Sequence, residues 1–282
     1  MALPDLSNSM YVARLRHIQA IHESPERRNP DTLVRRFIPI LQRLRTAWLG
    51  QDELSKLRSD PFYYYLVART LYYDQIIMDA VADGVERIVG VGCGSDTRAY
   101  RFKDLLCRSN VRVLECDQAD AIRAKTRLTK RWGQFDYIEH MPIDLNDTTW
   151  PALGHWLGGN LKPRTLVCME GVSPYVESDT FGWFLEFLAS RLAPGSTVAY
   201  DFKLTGVKDD FGRVGRTQRP FRLPAASQLV AAFHDQRGLQ MKSMELSSEL
   251  CARLIPSLDE SITLRFQEDG LLQLRVPKGK GV

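Results

Sequence analysis

Apolar and polar positions alternate in a regular way through the middle of the chain. Short apolar runs rich in β-branched residues predict five buried strands, at residues 88–91, 111–117, 137–143, 165–169 and 197–200. Between these runs lie longer stretches with apolar residues at helical spacing. Strands that alternate with helices are typical of a parallel sheet covered on both faces. The pattern therefore predicts a doubly wound, Rossmann-like α/β fold.

Helical patterns come before the first strand, and strand patterns end the chain. Amphipathic stretches predict helices at residues 10–21, 32–48 (interrupted by Pro39) and 62–81. We expect residues 1–82 to form a helical cap or lid, integrated with a domain over 83–282. Three further strands are predicted at residues 239–246, 262–266 and 271–276, the sheet ending in an antiparallel hairpin.

Two basic segments suggest contacts with a substrate. The first contains Arg27, Arg28, Arg35, Arg36, Arg43 and Arg45, and is either a solvated helix face or an electropositive lid for an anionic substrate. The second, about 203–222, combines three glycines with six cations. It is either a mobile substrate loop or a plain solvated connector.

A glycine-rich loop follows the first strand. Gly92 and Gly94 lack a Cβ, so the backbone can turn sharply there and approach a ligand closely. Unpaired N–H groups at the start of the next helix would favour a carboxylate or a hydroxyl-rich group. Asp96 stands close to where a dinucleotide loop has its third glycine, and its charge would repel a pyrophosphate. The loop therefore favours S-adenosylmethionine (SAM) over NAD, and an NAD-linked oxidoreductase is disfavoured.

The second strand ends in acids. Asp117 lies about 23 residues after Gly94, near the spacing at which nucleotide-binding sheets place a ribose ligand. We expect Asp117 to bind the ribose, with Glu115 as the alternative.

The segment Gly92-Cys93-Gly94-Ser95-Asp96-Thr97-Arg98-Ala99-Tyr100-Arg101 resembles the signature of the leucine carboxyl methyltransferase family. That family also holds bacterial and polyketide O-methyltransferases. The resemblance covers roughly residues 62–201. It implies a class I SAM methyltransferase fold, SAM as the cofactor and methyl transfer as the activity.

The resemblance also implies roles for particular residues. Arg69 would grip the methionine carboxylate of SAM, unless it only pairs with Asp74 or another acid. Glu170 would contact the ammonium of SAM, and Tyr175 would border the reacting methyl group. The family's N-terminal lysine is not aligned, so Arg14 or Arg16 would replace it.

The adenine site is implied in the same way. Asp144 and Leu145 would hold the ring, although Asp144 also fits a simple Asx-turn or helix cap. The full set expected to bind the cofactor is Arg69, Gly92, Cys93, Gly94, Asp96, Arg98, Asp117, Gln118, Asp144, Leu145, Glu170 and Gly171. Tyr175 and Arg69 are the residues expected nearest the reaction.

Composition narrows the class of protein. A net charge of +4 is too small to indicate a nucleic-acid partner, and no apolar run is long enough to span a bilayer. Five scattered cysteines, without a signal-peptide pattern, predict reduced thiols in a cytoplasmic protein without a membrane partner. No cluster has metal-ligand spacing, so no metal is expected. Oligomeric state is not predicted.

The expected reaction is methylation of a small-molecule acceptor, anionic in the case of a carboxylate, at a carboxylate or at a polyketide or phenolic hydroxyl. None of the five histidines lies in a recognisable motif. A carboxylate is already ionised at neutral pH and needs no base, so the absence of an obvious base favours it slightly. Two alternatives stay open: a catalytically silent sensing or scaffold module, and carboxyl methylation of a protein C-terminus.

Overall fold

The computed structural model describes residues 6–158, 163–207 and 219–278. They contain a mixed sheet of eight strands: β1 (Arg87–Val91), β2 (Arg112–Asp117), β3 (Ile138–Pro142), β4 (Thr165–Met169), β5 (Thr197–Leu204), β6 (Arg222–Leu223), β7 (Gln240–Leu246) and β8 (Asp269–Arg275). Their order is β3-β2-β1-β4-β5-β8-β7, and β6 pairs with β5 beside this path. The predicted α/β class is confirmed, because β1 to β5 are parallel and β7 and β8 make an antiparallel end.

Helices surround this sheet. They are α1 (Leu6–His22), α2 (Ile40–Ala47), α3 (Gln51–Ser59), α4 (Pro61–Ala82), α5 (Arg98–Arg101), α6 (Lys103–Arg108), α7 (Ala119–Thr129), α8 (Pro151–Leu157), α9 (Ser178–Arg191), α10 (Ser227–Asp235), α11 (Ser247–Leu254) and α12 (Glu260–Thr263). Short 3-10 turns lie at Pro25–Arg27, Leu33–Phe37 and Ser173–Tyr175. The predicted interruption at Pro39 is real, since this residue is the N-cap of α2.

Two apolar cores lie on opposite faces of the sheet. The tyrosines of α4, including Tyr65 and Tyr73, are buried in the core that contains α11. Phe181 and Phe184 of α9 are buried in the second core. Asp60 accepts a hydrogen bond from the N–H of Phe62 and so caps α4 where the sequence predicts its start.

One predicted strand is wrong. Residues 262–266 are not extended, because Asp259 accepts a hydrogen bond from the N–H of Ser261 and starts the short helix α12. The final antiparallel pair is β7 and β8, joined through α11 and α12 rather than by a tight turn.

The predicted substrate loop lies only partly within the described residues. Lys203 and Leu204 extend β5 beyond its predicted end, and Arg222 belongs to β6. Residues 208–218 lie outside the described part of the chain.

Candidate functional site

The strand register brings the predicted site residues to one edge of the sheet. Val91 pairs with Cys116 on one side and with Met169 on the other. The glycine loop after β1, Asp117 at the end of β2 and Glu170 after β4 therefore emerge together at the carboxyl ends of the strands. The strand order reverses between β1 and β4, which is where doubly wound sheets bind ligands.

Both loop glycines have a backbone that disfavours other residues. Gly92 has φ 67° and Gly94 has φ 33°. A Cβ on Gly92 would lie 2.3 Å from Cγ2 of Val172, and one on Gly94 would lie 3.0 Å from Oγ of Ser9. The space beside each glycine is thus occupied by a side chain of the protein. Ser9 belongs to α1, so the N-terminal helix lies over the glycine loop.

The expectation of unpaired N–H groups in this loop is wrong at three positions. The N–H of Cys93 donates to the carbonyl oxygen of Cys116 at 3.0 Å, and that of Asp96 donates to the carbonyl of Cys93 at 2.8 Å. The N–H of Gly94 donates to Oδ2 of Asp117 at 2.7 Å. The loop folds back onto itself and onto β2, so these three donors are satisfied within the protein.

The two candidate ribose ligands have different surroundings. Asp117 is half-buried, and its other oxygen accepts from the N–H of Gln118 at 2.7 Å. Glu115 is buried, accepting from Nζ of Lys125 at 2.7 Å and from the hydroxyl of Tyr100 at 2.8 Å. Both carboxylate oxygens of Glu115 are therefore bonded to buried side chains, and Asp117 is the acid that lies at the edge of the sheet. Gln118 itself is exposed at the start of α7.

Three arginines converge on Glu170. Oε1 accepts from Arg16 and from Nε of Arg69, the latter at 3.1 Å, and Oε2 accepts from Arg98 at 2.7 Å. Burial opposes ionisation of Glu170, but the three guanidinium groups outweigh it and hold its pKa far below the usual range. Glu170 is an ionised anchor for three cations, so its oxygens are less free for an ammonium group than the sequence suggested.

Arg69 connects this cluster to β5. Its Nη1 donates to Oδ2 of Asp201 at 3.1 Å. Asp74, its alternative partner in the sequence, pairs instead with Arg98 at 2.8 Å and Arg101 at 2.6 Å. Asp201 was not among the predicted site residues, although an acid following a predicted strand next to β4 is the signal that could have found it.

Asp201 also orders the loop after β4. Its Oδ1 accepts from the N–H of Gly171 at 2.6 Å. Burial raises the pKa of Asp201 to about 6, and the charge of Arg69 only partly offsets this effect. Gly171 has φ 67° and lies against the Arg69 guanidinium.

The structure distinguishes the two N-terminal cations. Arg16 is buried and bonded to Glu170, whereas Arg14 is half-exposed and lies outside this cluster. Nε of each of the two arginines is buried without a hydrogen-bond partner in the described part of the chain, so the bond to Glu170 is what distinguishes them. Arg16 is thus the cation that α1 brings to the site.

The expected adenine residues follow β3. Oδ1 of Asp144 accepts from the N–H of Asn146 at 2.9 Å, which forms the Asx-turn that the sequence left open. Its carbonyl accepts from Nε1 of Trp150 at 3.0 Å, and Leu145 is buried.

Tyr175 is half-buried at the end of the 3-10 turn after β4. In the loop after β1, the side chain of Asp96 bonds Arg98 at 2.8 Å.

The described residues contain neither a metal-binding cluster nor a membrane-spanning helix. No group of three or more His, Cys, Asp or Glu side chains there could hold a metal ion. No helix there is long and apolar enough to cross a membrane.

Known proteins resemble this chain in sequence and fold. A provisionally named S-adenosyl-L-methionine-dependent methyltransferase of Mycolicibacterium paratuberculosis is 31% identical over 64% of this chain and 61% of its own length. A similarly named protein of Mycobacterium bovis is 29% identical over 77% of this chain and 73% of its own. The chain spans only about half of other relatives, 49% of one from Mycobacterium avium and 45% of one from Mycolicibacterium smegmatis.

A solved structure is similar to this chain in its overall fold. The structure of StiE O-MT residues 961–1257 matches with a TM-score of 0.50 at 10% identity, covering 76% of each chain. Finally, the sequence model of the leucine carboxyl methyltransferase family matches residues 11–189, more than half of the 282 residues. This confirms the predicted family: the chain belongs to the leucine carboxyl methyltransferase family.

Proposed function

We propose that this protein is a SAM-dependent methyltransferase that methylates an oxygen of a small molecule. The observation that carries the proposal is the pairing of two features at one sheet edge. Asp117 holds the glycine loop on one side, and Arg16 and Arg69 meet at Glu170 on the other. An acid for a sugar and cations for a carboxylate are what a methionine-derived nucleoside requires.

The residues present fit this cofactor. A carboxylate has about four lone-pair sites, and Asp117 uses one on each oxygen for the N–H groups of Gly94 and Gln118. Two sites are left for ribose hydroxyls. The buried, unpartnered Nε of Arg16 is a donor that the methionine carboxylate would satisfy.

Bound SAM supplies an electrophilic methyl group. The protein's contribution is to position the two reactants, since displacement at a sulfonium depends chiefly on alignment. Glu170 and Asp201 hold Arg69 from two sides, so its guanidinium is fixed before a ligand arrives. Tyr175, after β4, is our candidate for the residue beside the acceptor.

The acceptor group that we favour is a carboxylate. Two histidines are already engaged: His140 on β3 lies 3.2 Å from the hydroxyl of Tyr100, and His234 on α10 lies 2.6 Å from the hydroxyl of Tyr200. Neither is available as a general base, and a carboxylate acceptor needs none. A polyketide or phenolic hydroxyl is the second acceptor class to screen.

The test combines calorimetry with an acceptor screen. We expect S-adenosylhomocysteine to bind at one saturable site and to accumulate when SAM is mixed with a suitable carboxylic acid. Tight binding without product from any carboxylic or phenolic acceptor would support a silent sensing module. Absence of binding would contradict the proposal.

A further inference from the structure

Helix α2 presents its apolar side to solvent. Ile40, Leu41, Leu44 and Trp48 are 62%, 77%, 53% and 84% exposed. At about 100° per residue, these four positions fall within an arc of roughly 100° on the helix. The side of α2 that packs inward carries Thr46, which is fully buried, and half-buried Arg43. Helix α2 therefore turns its apolar side to solvent and a polar side to the protein, the reverse of a helix that covers a core.

The apolar stripe is flanked by positive charge. Arg43 and Arg45 lie on either side of it around the helix, and exposed Arg35 lies on the 3-10 turn before it. Among residues 6–158, 163–207 and 219–278, no carboxylate lies within 4.0 Å of these three guanidinium groups. Asp31, an acid of this segment, is turned inward towards Thr97.

The positive charges of this region act on a neighbouring titratable group, His17. Burial lowers the pKa of His17 on α1, and the nearby charges of Arg35 and Arg43 lower it further. Nε of Arg43 is buried without a partner in the described part of the chain. The surface around α2 is therefore a field of unneutralised positive charge beside an exposed apolar stripe.

We propose that the α2 surface, defined as Arg35, Ile40, Leu41, Leu44, Arg45 and Trp48, docks on an anionic lipid membrane. An outward stripe of large apolar side chains with a tryptophan at one end suits the boundary between headgroups and acyl chains. The flanking arginines suit anionic headgroups. This binding lies in the plane of the interface and requires no spanning helix. The sequence predicts no membrane partner on the ground that no apolar run is long enough to span a bilayer, and that criterion does not address a helix lying in the interface.

Charge argues against the alternative occupant, a second copy of this chain. Face-to-face pairing through the same surface would bring Arg35 and Arg45 of each copy near those of the other. Like charges brought together at an interface oppose association. An anionic lipid surface neutralises them instead.

Helix α1 connects the α2 surface to the candidate site. Helix α2 packs on α1, and Nε2 of His22 on α1 lies 2.7 Å from the carbonyl oxygen of Thr46. Helix α1 also carries Arg16 and Ser9, which reach Glu170 and the glycine loop. The inference itself does not depend on the proposed function, since it concerns a surface outside the cofactor residues.

The test is sedimentation of the full chain with lipid vesicles. We expect binding to vesicles of phosphatidylcholine with phosphatidylglycerol, weak binding to phosphatidylcholine alone, and loss of binding at high salt. Leu41→Ser with Trp48→Ser should lower the partition coefficient at least tenfold. Arg35→Glu with Arg45→Glu should do the same, because each cation near the surface contributes about fivefold.

The matched control is Leu229→Ser with Trp183→Ser, an exposed leucine and an exposed tryptophan on α10 and α9. It should leave vesicle binding unchanged, and equal unfolding midpoints should show that all variants fold. Absence of binding to anionic vesicles would overturn the proposal, as would equal loss in the control. A dimer abolished by the α2 substitutions, without vesicle binding, would assign the surface to a second copy and also overturn it.

Discussion

The carboxylate of Asp117 accepts a hydrogen bond from the main-chain N–H of Gly94 at 2.7 Å. One acid thus ties the glycine loop after β1 to the end of β2. The proposed ribose ligand and the loop beneath the cofactor are a single unit, so changes at Asp117 act on both.

Replacing Asp117 by alanine is expected to weaken binding of S-adenosylhomocysteine by about 1–3 kcal/mol, the usual size of a lost charged hydrogen bond. Calorimetry measures this loss. Asp117→Asn, which keeps one oxygen as an acceptor, should lose less. Asp120→Ala is the control, because this exposed acid on α7 pairs with Arg123 and lies outside the expected cofactor residues. Unchanged affinity in Asp117→Ala would show that this acid does not hold the ribose.

Substituting Gly94 tests the contact with α1. At φ 33° a Cβ is strained, and it would lie 3.0 Å from Oγ of Ser9. We expect Gly94→Ala to lower the free energy of unfolding by about 1–3 kcal/mol. Adding Ser9→Ala removes the oxygen that the Cβ meets, so it should restore part of this loss in chemical denaturation. No recovery in the double variant would mean that backbone strain alone causes the effect.

Arg69 should be more sensitive to a lysine substitution than its charge suggests. Lysine cannot bridge Glu170 and Asp201 in the same planar geometry, and its ammonium holds a carboxylate less specifically. Arg69→Lys is expected to lower affinity for S-adenosylhomocysteine about tenfold, measured by calorimetry. Arg101→Lys is the matched control, since Arg101 pairs with Asp74 instead. Equal loss of affinity in both variants would indicate general destabilisation rather than a role of Arg69 in binding.

Glu170 should matter for stability as well as for binding. It is the shared counter-charge of Arg16, Arg69 and Arg98. Removing one partner of a buried ion pair costs about 3–5 kcal/mol because the remaining charge is left uncompensated. Glu170→Gln is therefore expected to lower the free energy of unfolding by a comparable amount in urea titrations. A loss below 1 kcal/mol would contradict this anchoring role.

Acid should destabilise the fold through His234. This side chain is fully buried, with Nε2 facing the hydroxyl of Tyr200 and Nδ1 facing the carbonyl of Val230, each at 2.6 Å. Burial lowers the pKa of His234 from 6.5 to about 4. The unfolded chain therefore binds this proton at a higher pH than the folded protein does. The stabilisation is present above pH 6.5 and is lost as the pH falls through 4.

The size of this effect is about 3 kcal/mol. Unfolding of the wild type and of His234→Gln between pH 4 and 7.5 measures it, and the wild type should lose more stability on acidification. Asp201, with its raised pKa, acts in the opposite direction in an overlapping window. Because both proteins contain Asp201, its contribution cancels in the difference. Parallel pH curves would contradict the assignment to His234.

The parallel strands and the glycine loop could be predicted from sequence because their signals are local. β4 begins and ends at the predicted residues, and β-branched runs bounded by turn residues mark the others. Residues 262–266 misled the prediction, since their apolar content fits a strand while the start of α12 depends on one cap at Asp259. The helix α3 was not predicted either.

The arginine cluster could be predicted only in part. Glu170 and Arg69 lie in recognisable segments, but they are 101 positions apart and nothing local indicates that they touch. The choice between Arg14 and Arg16 depends on which side of α1 faces Glu170, and the contribution of Asp201 depends on the pairing of β4 with β5. Such contacts follow from tertiary packing, which short-range patterns do not encode.

The central claim is that the edge formed by the glycine loop, Asp117 and the Glu170 cluster binds a methionine-derived nucleoside. A crystal structure with saturating S-adenosylhomocysteine tests it most directly. We expect the Asp117 carboxylate within hydrogen-bond distance of the ribose hydroxyls and the amino-acid carboxylate on Arg16 or Arg69. A nucleoside bound elsewhere, or no ligand at this edge under saturating conditions, would contradict the account.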